Sequence, residues 1–307
     1  MSVAISALLQ VMFIILLGYL IRRLMRFNDS FWDELAKLTY FLLTPALLIY
    51  SLGNKPLDDL PWFSIASVLV VVLLTCSVLL IVWQRYVRSV DPASFTSIFQ
   101  GGVRFNSFVA LAIVYNLFGE SGIVAAAISM SVIIITVNVL CLLVFSFYSQ
   151  EVKNWKSIFI SLSHNPLILG CVIGLTINLS PLSLPDEINV TLGLLGKCAL
   201  PLALLAIGAA LKTDRNESFK EMVVVASVMQ LLIKPGMTFV FALSLGLEGM
   251  ILAIVTIMMA VPTAPSAYIL AKQLGGNSFA MASIIAHQTF LAIFTLPATF
   301  YILSTYG

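Results

Sequence analysis

The chain alternates long apolar runs with short polar links. Ten runs stand out, at about residues 3–21, 35–52, 63–83, 95–118 and 122–148, then 158–179, 188–211, 222–245, 250–270 and 279–303. Each is near the roughly 20 helical residues needed to cross a hydrocarbon core. The longest polar links, 22–34, 149–156 and 212–221, are too short to form a soluble domain of any size. The pattern therefore predicts an all-α polytopic membrane protein with ten transmembrane helices.

The fourth run is interrupted. Gly101-Gly102-Val103-Arg104-Phe105-Asn106-Ser107 lies inside it, with paired glycines, a cation and an amide. At about 1.5 Å per residue, Arg104 sits about 13 Å in from the start, near the bilayer midplane. An arginine there costs about 2.5–3.5 kcal/mol on insertion scales. The glycines are expected to loosen the helix at the same place. A break and a charge together point to a discontinuous helix presenting backbone and side chain to a ligand. The competing reading has Arg104 pairing with a neighbouring helix or reaching toward the surface.

Composition agrees with the pattern. Of 307 residues, 60% are hydrophobic and 10% charged, with a mean hydropathy of +1.06. Cys76, Cys141, Cys171 and Cys198 lie in apolar runs without metal-ligand spacing and read as packing residues. The first run lacks a basic segment ahead of it and is followed by Arg22, Arg23 and Arg26, which reads as a retained helix rather than a leader.

The distribution of charge says more than the net value of +2. Odd-numbered links carry Arg22, Arg23, Arg26, Arg85, Arg88, Lys153, Lys156, Lys212, Arg215, Lys220 and Lys272, whereas even-numbered links carry Lys55 alone. The positive-inside rule then puts the odd links in the cytoplasm and both termini outside. Arg104, Lys197 and Lys234 lie deep within runs, and Lys37 near the end of one. The 14 acidic residues all fall in links or at run ends. The membrane interior thus holds cations without carboxylates to balance them. An anionic substrate is one counter-charge; helix C-terminal carbonyls, or loss of the lysine proton on burial, are others.

The halves look like repeats. Ala46-Leu47-Leu48, just after Pro45, resembles Ala203-Leu204-Leu205, just after Pro201, and Leu117-Phe118-Gly119 resembles Leu274-Gly275-Gly276, each triplet at an offset of 157 positions. Five runs per half, an odd number, require the second half to be inverted. The division expected is 1–148 for the first repeat, 149–156 for a cytoplasmic linker and 157–307 for the second repeat. The offset maps 104–108 onto Val261-Pro262-Thr263-Ala264-Pro265, so the ninth run has its own break, made by two prolines. Interrupted helices at matching positions of two inverted halves mark the site of many transporters. Where two such breaks cross, helix N-termini and free N–H groups suit a carboxylate.

These segments resemble a known family. Pro45-Ala-Leu-Leu, Arg104-Phe-Asn106-Ser, Leu200-Pro201-Leu-Ala-Leu-Leu-Ala-Ile-Gly208, Lys234-Pro235, Pro262-Thr-Ala-Pro265 and Gly275-Gly276-Asn277 are similar to the auxin efflux carrier family, over essentially the whole chain. The short central link is closest to the small bacterial members described as malonate or malate permeases. The resemblance implies two inverted five-helix repeats with crossed broken helices 4 and 9, as in bile-acid symporters and sodium/proton antiporters. It implies a scaffold of helices 1, 2, 6 and 7 and a transport part of helices 3–5 and 8–10. It also implies that Asn106 holds a substrate carboxylate, and that a homodimer forms. One departure is that the fourth run has Arg104-Phe105 where relatives carry a crossover proline, which favours a more anionic ligand.

The candidate substrate-binding residues are Arg104, Asn106, Ser107, Pro262, Thr263, Ser266, Lys234, Gln230, Asn138 and His287. The candidate helix breaks are Gly101, Gly102, Pro45, Pro201 and Pro265. Gln230 and Lys234, four apart, share a helix face, and Asn138 and the triplet His287-Gln288-Thr289 are read as facing a transport cavity. Lys234, beside Pro235, and Lys197, four before Pro201, have structural readings too, answering carbonyls that the prolines free. His164-Asn165-Pro166 reads as a helix cap. Hydrolase and nucleotide-binding motifs are missing from the sequence, as are membrane-depth aspartates. The expectation is therefore a non-enzyme without cofactor, metal or nucleic-acid partner: a secondary or facilitative transporter of small organic anions, dicarboxylates such as malonate or malate, working by alternating access in the plasma membrane. The alternatives are efflux of an aromatic monocarboxylate, an anion channel or a membrane sensor. A proton or sodium ion is the candidate coupling partner.

Overall fold

The computed structural model describes residues 2–25, 27–54, 60–148, 164–180, 184–210 and 220–306. The expected linker 149–156 lies outside them, as do Arg26, Lys55, Lys153, Lys156, Lys212 and Arg215 of the orientation argument. Among the described residues every regular element is helical. In order these are α1 (Ser2–Met25), α2 (Asp29–Leu38), α3 (Thr44–Gly53), α4 (Trp62–Val82), α5 (Pro92–Val103), α6 (Ser107–Tyr148) and α7 (Pro166–Leu179). Then come α8 (Asp186–Ala210), α9 (Lys220–Val228), α10 (Lys234–Ser244), α11 (Gly249–Ala260), α12 (Ser266–Gln273) and α13 (Ser278–Tyr306).

Six continuous helical runs among the described residues are long and apolar enough to cross a membrane: Ser30–Gly53, Trp62–Val87, Pro92–Tyr148, Asp186–Ala209, Lys220–Ser244 and Ser278–Thr305. The 57-residue run Pro92–Tyr148 contains both the fourth and fifth expected spans. It is divided at 104–106 and again at Gly119, whose φ of 62° and ψ of −151° belong to glycine alone. The expected sixth and ninth spans correspond to shorter apolar helices, Pro166–Leu179 and Gly249–Ala260. The ninth is short because it stops at Val261, where two prolines begin the break.

Helix starts follow local chemistry. Asp91 caps α5 through Ser94 N–H at 2.9 Å, with Pro92 in the first turn. Asn165 caps α7 through Leu167 and Ile168 N–H, as its sequence suggested. Two π-helical turns, Thr39–Leu43 and Met229–Ile233, stand just before Pro45 and Pro235. A proline ring clashes with the carbonyl four residues back and offers no N–H, so the helix ahead of it widens instead of breaking.

The helices group into two compact units, each drawn from both halves of the chain. The first comprises Met1–Trp62, Phe108–Ser131 and Ile160–Leu211; the second Phe63–Ser107, Val132–Phe159 and Lys212–Gly307. The first gathers the expected helices 1, 2, 6 and 7, together with residues 108–131.

Inside the first unit, glycines let backbones touch. A Cβ at Gly18 of α1 would overlap the Leu205 carbonyl of α8, and one at Gly208 would overlap the Ile15 carbonyl of α1. Gly170 and Gly174 of α7 abut Pro45 and Leu48–Leu52 of α3, and Gly196 of α8 abuts Leu47. Close approach at small residues is the main source of helix association where lipid is as apolar as leucine. Arg22 of α1 donates to the Ala209 carbonyl, placing a cation at the C-terminal end of α8. Asn178 donates to Leu52 O at 2.8 Å, and Asn54 pairs with Asn189.

Inside the second unit, α5 is the centre. A Cβ at Gly101 would stand 2.7 Å from Ile284 of α13, and one at Gly102 would stand 2.9 Å from Leu80 of α4. The paired glycines, expected as the break, are helical and buried. They allow close packing, and the break begins at Arg104, where the backbone turns extended (φ −71°, ψ 161°). Asn277 locks the other end of α5: its N–H donates to Ala93 O at 3.0 Å and its carbonyl accepts from Ser97 Oγ at 2.9 Å.

Candidate functional site

The two breaks, 104–106 and 261–265, lie side by side within the second unit. Asn106 N–H donates to Pro262 O at 2.8 Å, joining them main chain to main chain. A helix that ends in a membrane leaves its last carbonyls without intrahelical partners, and no water is at hand to replace them. Here side chains answer them one by one.

Gly101 O of α5 accepts from Gln288 Nε2 at 2.8 Å and Thr263 Oγ1 at 2.9 Å, filling both lone pairs. The Gln288 carbonyl in turn accepts Thr263 N–H at 3.0 Å. One α13 glutamine thus ties the end of α5 to the second break. Gln230 does the same from the π turn before α10: its Nε2 donates to Val261 O at 2.6 Å, and its Oε1 accepts from Lys234 Nζ at 2.6 Å. Lys234 also reaches Val103 O at 3.2 Å and Arg104 O at 3.4 Å. Its side chain is 0% exposed. The widened turn before Pro235 presents Gln230 and Lys234 together to the breaks.

Of the three alternatives open to the deep lysines, Lys234 meets the helix C-terminal carbonyls, the negative end of the α5 dipole. Lys197 is exposed on α8 in the first unit. Arg104 differs from both. It is half-buried, beside Cys141 of α6, and its Nη1 is a buried atom without a hydrogen-bond partner among the described residues. Among the described residues neither Arg104 nor Lys234 forms an ion pair with a carboxylate.

The remaining candidates divide. Asn106, Thr263 and Pro262 are buried at the breaks, and Ser107 opens α6 half-buried. Ser266 opens α12 and is exposed, and Pro265 precedes it as the last residue of the second break. Asn138 is half-buried on α6. His287 is exposed, its Nδ1 2.8 Å from its own helix's Ser283 O, whereas the next residue, Gln288, faces the breaks. One residue is about 100° of helix rotation, and the sequence does not reveal which of the two points inward. Pro201 lies inside the continuous helix α8, and Pro45 follows a π turn within a continuous run, so neither breaks its helix. Cys76, Cys141 and Cys171 are buried as expected, but Cys198 is exposed.

The sequence singles out Gln288 only within the triplet His287-Gln288-Thr289, with His287 as the candidate, and does not single out Gln100 of α5, buried with both amide atoms unpartnered among the described residues. Their signal was an uncharged amide inside an apolar run, costly at that depth for the same reason as a charge.

A family model described as "Membrane transport protein" matches residues 3–301 of the chain. Comparison with curated proteins finds no match.

Proposed function

Because the chain belongs to this membrane transport protein family, the auxin efflux carriers, we propose that it is a secondary or facilitative transporter of small organic anions that loads its substrate at the paired breaks. Members of the family are membrane transporters rather than enzymes, and the apolar helices agree with a multi-pass membrane protein. The substrate class favoured here is a dicarboxylate such as malonate or malate. The observation that carries it is the buried Nη1 of Arg104, without a hydrogen-bond partner among the described residues, two positions from Asn106 in a run that carries no carboxylate at that depth. A guanidinium offers a planar fork to one carboxylate, and the Asn106 amide adds a donor for the same or a second one.

The architecture that goes with this reading is ten spans in two inverted five-helix repeats. Alternating access would work at the crossing of helices 4 and 9, in the plasma membrane with both termini outside. A homodimer, and coupling to a proton or sodium ion or to the membrane potential, complete the proposal. An aromatic monocarboxylate is the second reading, supported by Asn106 alone. The test is uptake of labelled malonate, malate and indole acetate into proteoliposomes, with and without an imposed potential, for wild type and Arg104→Ala. Saturable dicarboxylate uptake with counterflow, lost in the variant, is the expected result. Unsaturable flux would mean a channel, and binding without flux a sensor. Flux that survives Arg104→Ala would make the arginine structural.

A further inference from the structure

We propose that the Lys234 ammonium is a resident cation filling a site that would otherwise bind an alkali-metal ion, so that substrate transport proceeds without sodium. The inference rests on the transporter reading above for its flux arm, and on geometry for the rest. Three oxygens, Val103 O, Arg104 O and Gln230 Oε1, surround Nζ at 3.2, 3.4 and 2.6 Å in a fully buried position. Two of them are the carbonyls where α5 ends, and the third is a side-chain amide oxygen. Unwound carbonyls at half-helix C-termini are the donor set with which transporters hold sodium near the midplane. Gln230 cannot be turned round, because its Nε2 already donates to Val261 O; a flip would set its NH₂ against the lysine and its oxygen against a carbonyl. With three acceptors around one nitrogen, all three N–H bonds of an ammonium are used, whereas a neutral amine would aim a lone pair at an oxygen. Among the described residues, Cys76 of α4 is a titratable group that acts on Nζ. No carboxylate shares the site among the described residues, so the three oxygens are the groups that answer the ammonium there.

The consequence is specific. Cutting the side chain back empties a cation-shaped space without removing its oxygens. Replacing it with an apolar chain of similar length fills the space and leaves the oxygens unanswered. The experiment compares wild type, Lys234→Ala and Lys234→Met, purified in detergent and reconstituted, in sodium, methylammonium or choline chloride at equal ionic strength. Wild type is expected to melt at the same temperature and transport at the same rate in all three salts. Lys234→Ala should lose transport by at least about tenfold in choline, regain part of it in sodium or methylammonium, and melt about 3 °C higher in those salts than in choline. Lys234→Met should show the loss without the recovery. Lys234→Ser, which adds a hydroxyl oxygen to the set, replaces the alanine variant if that one does not accumulate. Sodium-dependent wild-type transport overturns the proposal, and so does a Lys234→Ala protein indifferent to cations. Failure of both the alanine and serine variants to accumulate in sodium medium, while Lys234→Met accumulates, overturns it too. Failure of wild type to move any organic anion would sink the substrate reading, and the melting comparison would still decide this one.

Discussion

Each of the two compact units is held together internally, and the means differ between them. In the first, helices meet where side chains are missing: Gly18, Gly170, Gly174, Gly196 and Gly208 bring backbone against backbone, and the polar links sit near helix ends. In the second, the centre consists of interrupted backbone, repaired by Gln230, Lys234, Thr263 and Gln288. Dispersion contacts between whole helices tolerate no added atom but specify no ligand. Polar repair of a break tolerates some change of shape, and it gathers backbone and amide groups at one place. A membrane protein can carry both because it gains little from the hydrophobic effect between helices and must choose packing or hydrogen bonds at each contact.

The contrast breaks most severely at Gly208. Gly208→Val would drive atoms into the Ile15 carbonyl of α1, and a loss of about 3 kcal/mol or more is expected. Size-exclusion profile and melting temperature in detergent would show it as aggregated or strongly destabilised protein. Gln288→Leu comes next, leaving Thr263 N–H and one lone pair of Gly101 O unanswered at a cost of about 2 kcal/mol. It should also depress substrate uptake, while His287→Ala, one position away on the exposed face, should lower the melting temperature far less. A result with the two reversed would mean that α13 is rotated from the described orientation. The smallest effect belongs to the exposed Asn54–Asn189 pair in the first unit. Asn189→Ala should cost about 0.5–1 kcal/mol and leave uptake kinetics unchanged, and a large effect on uptake would end the idea that this unit's polar links are only local.

Much of the second unit's centre was legible in the chain, because membrane depth makes polarity conspicuous. Arg104 and Asn106 in one apolar run, two prolines three apart in another, and Gln230 four before Lys234 are each anomalous against lipid, and the structure sets them together. What stayed hidden depends on partners. Gly101 and Gly102 read as a loosened helix, but what matters is what stands opposite them, Ile284 and Leu80, and no local pattern contains that. His287 drew attention by its chemistry, whereas helix phase, set by packing, turned Gln288 inward. The π turns before Pro45 and Pro235 leave no trace in periodicity, although a proline inside a long apolar run was the available hint. The division of residues 107–148 between the two units follows from packing alone.

The bond from Asn106 N–H to Pro262 O has both of its atoms in the main chain. An alanine scan cannot remove it, since every residue except proline supplies the same donor at position 106. Side-chain changes there therefore alter the amide group while the joint between the two breaks is left intact. Proline at that position deletes the joint itself. The position thus offers two separate experimental handles, one chemical and one mechanical.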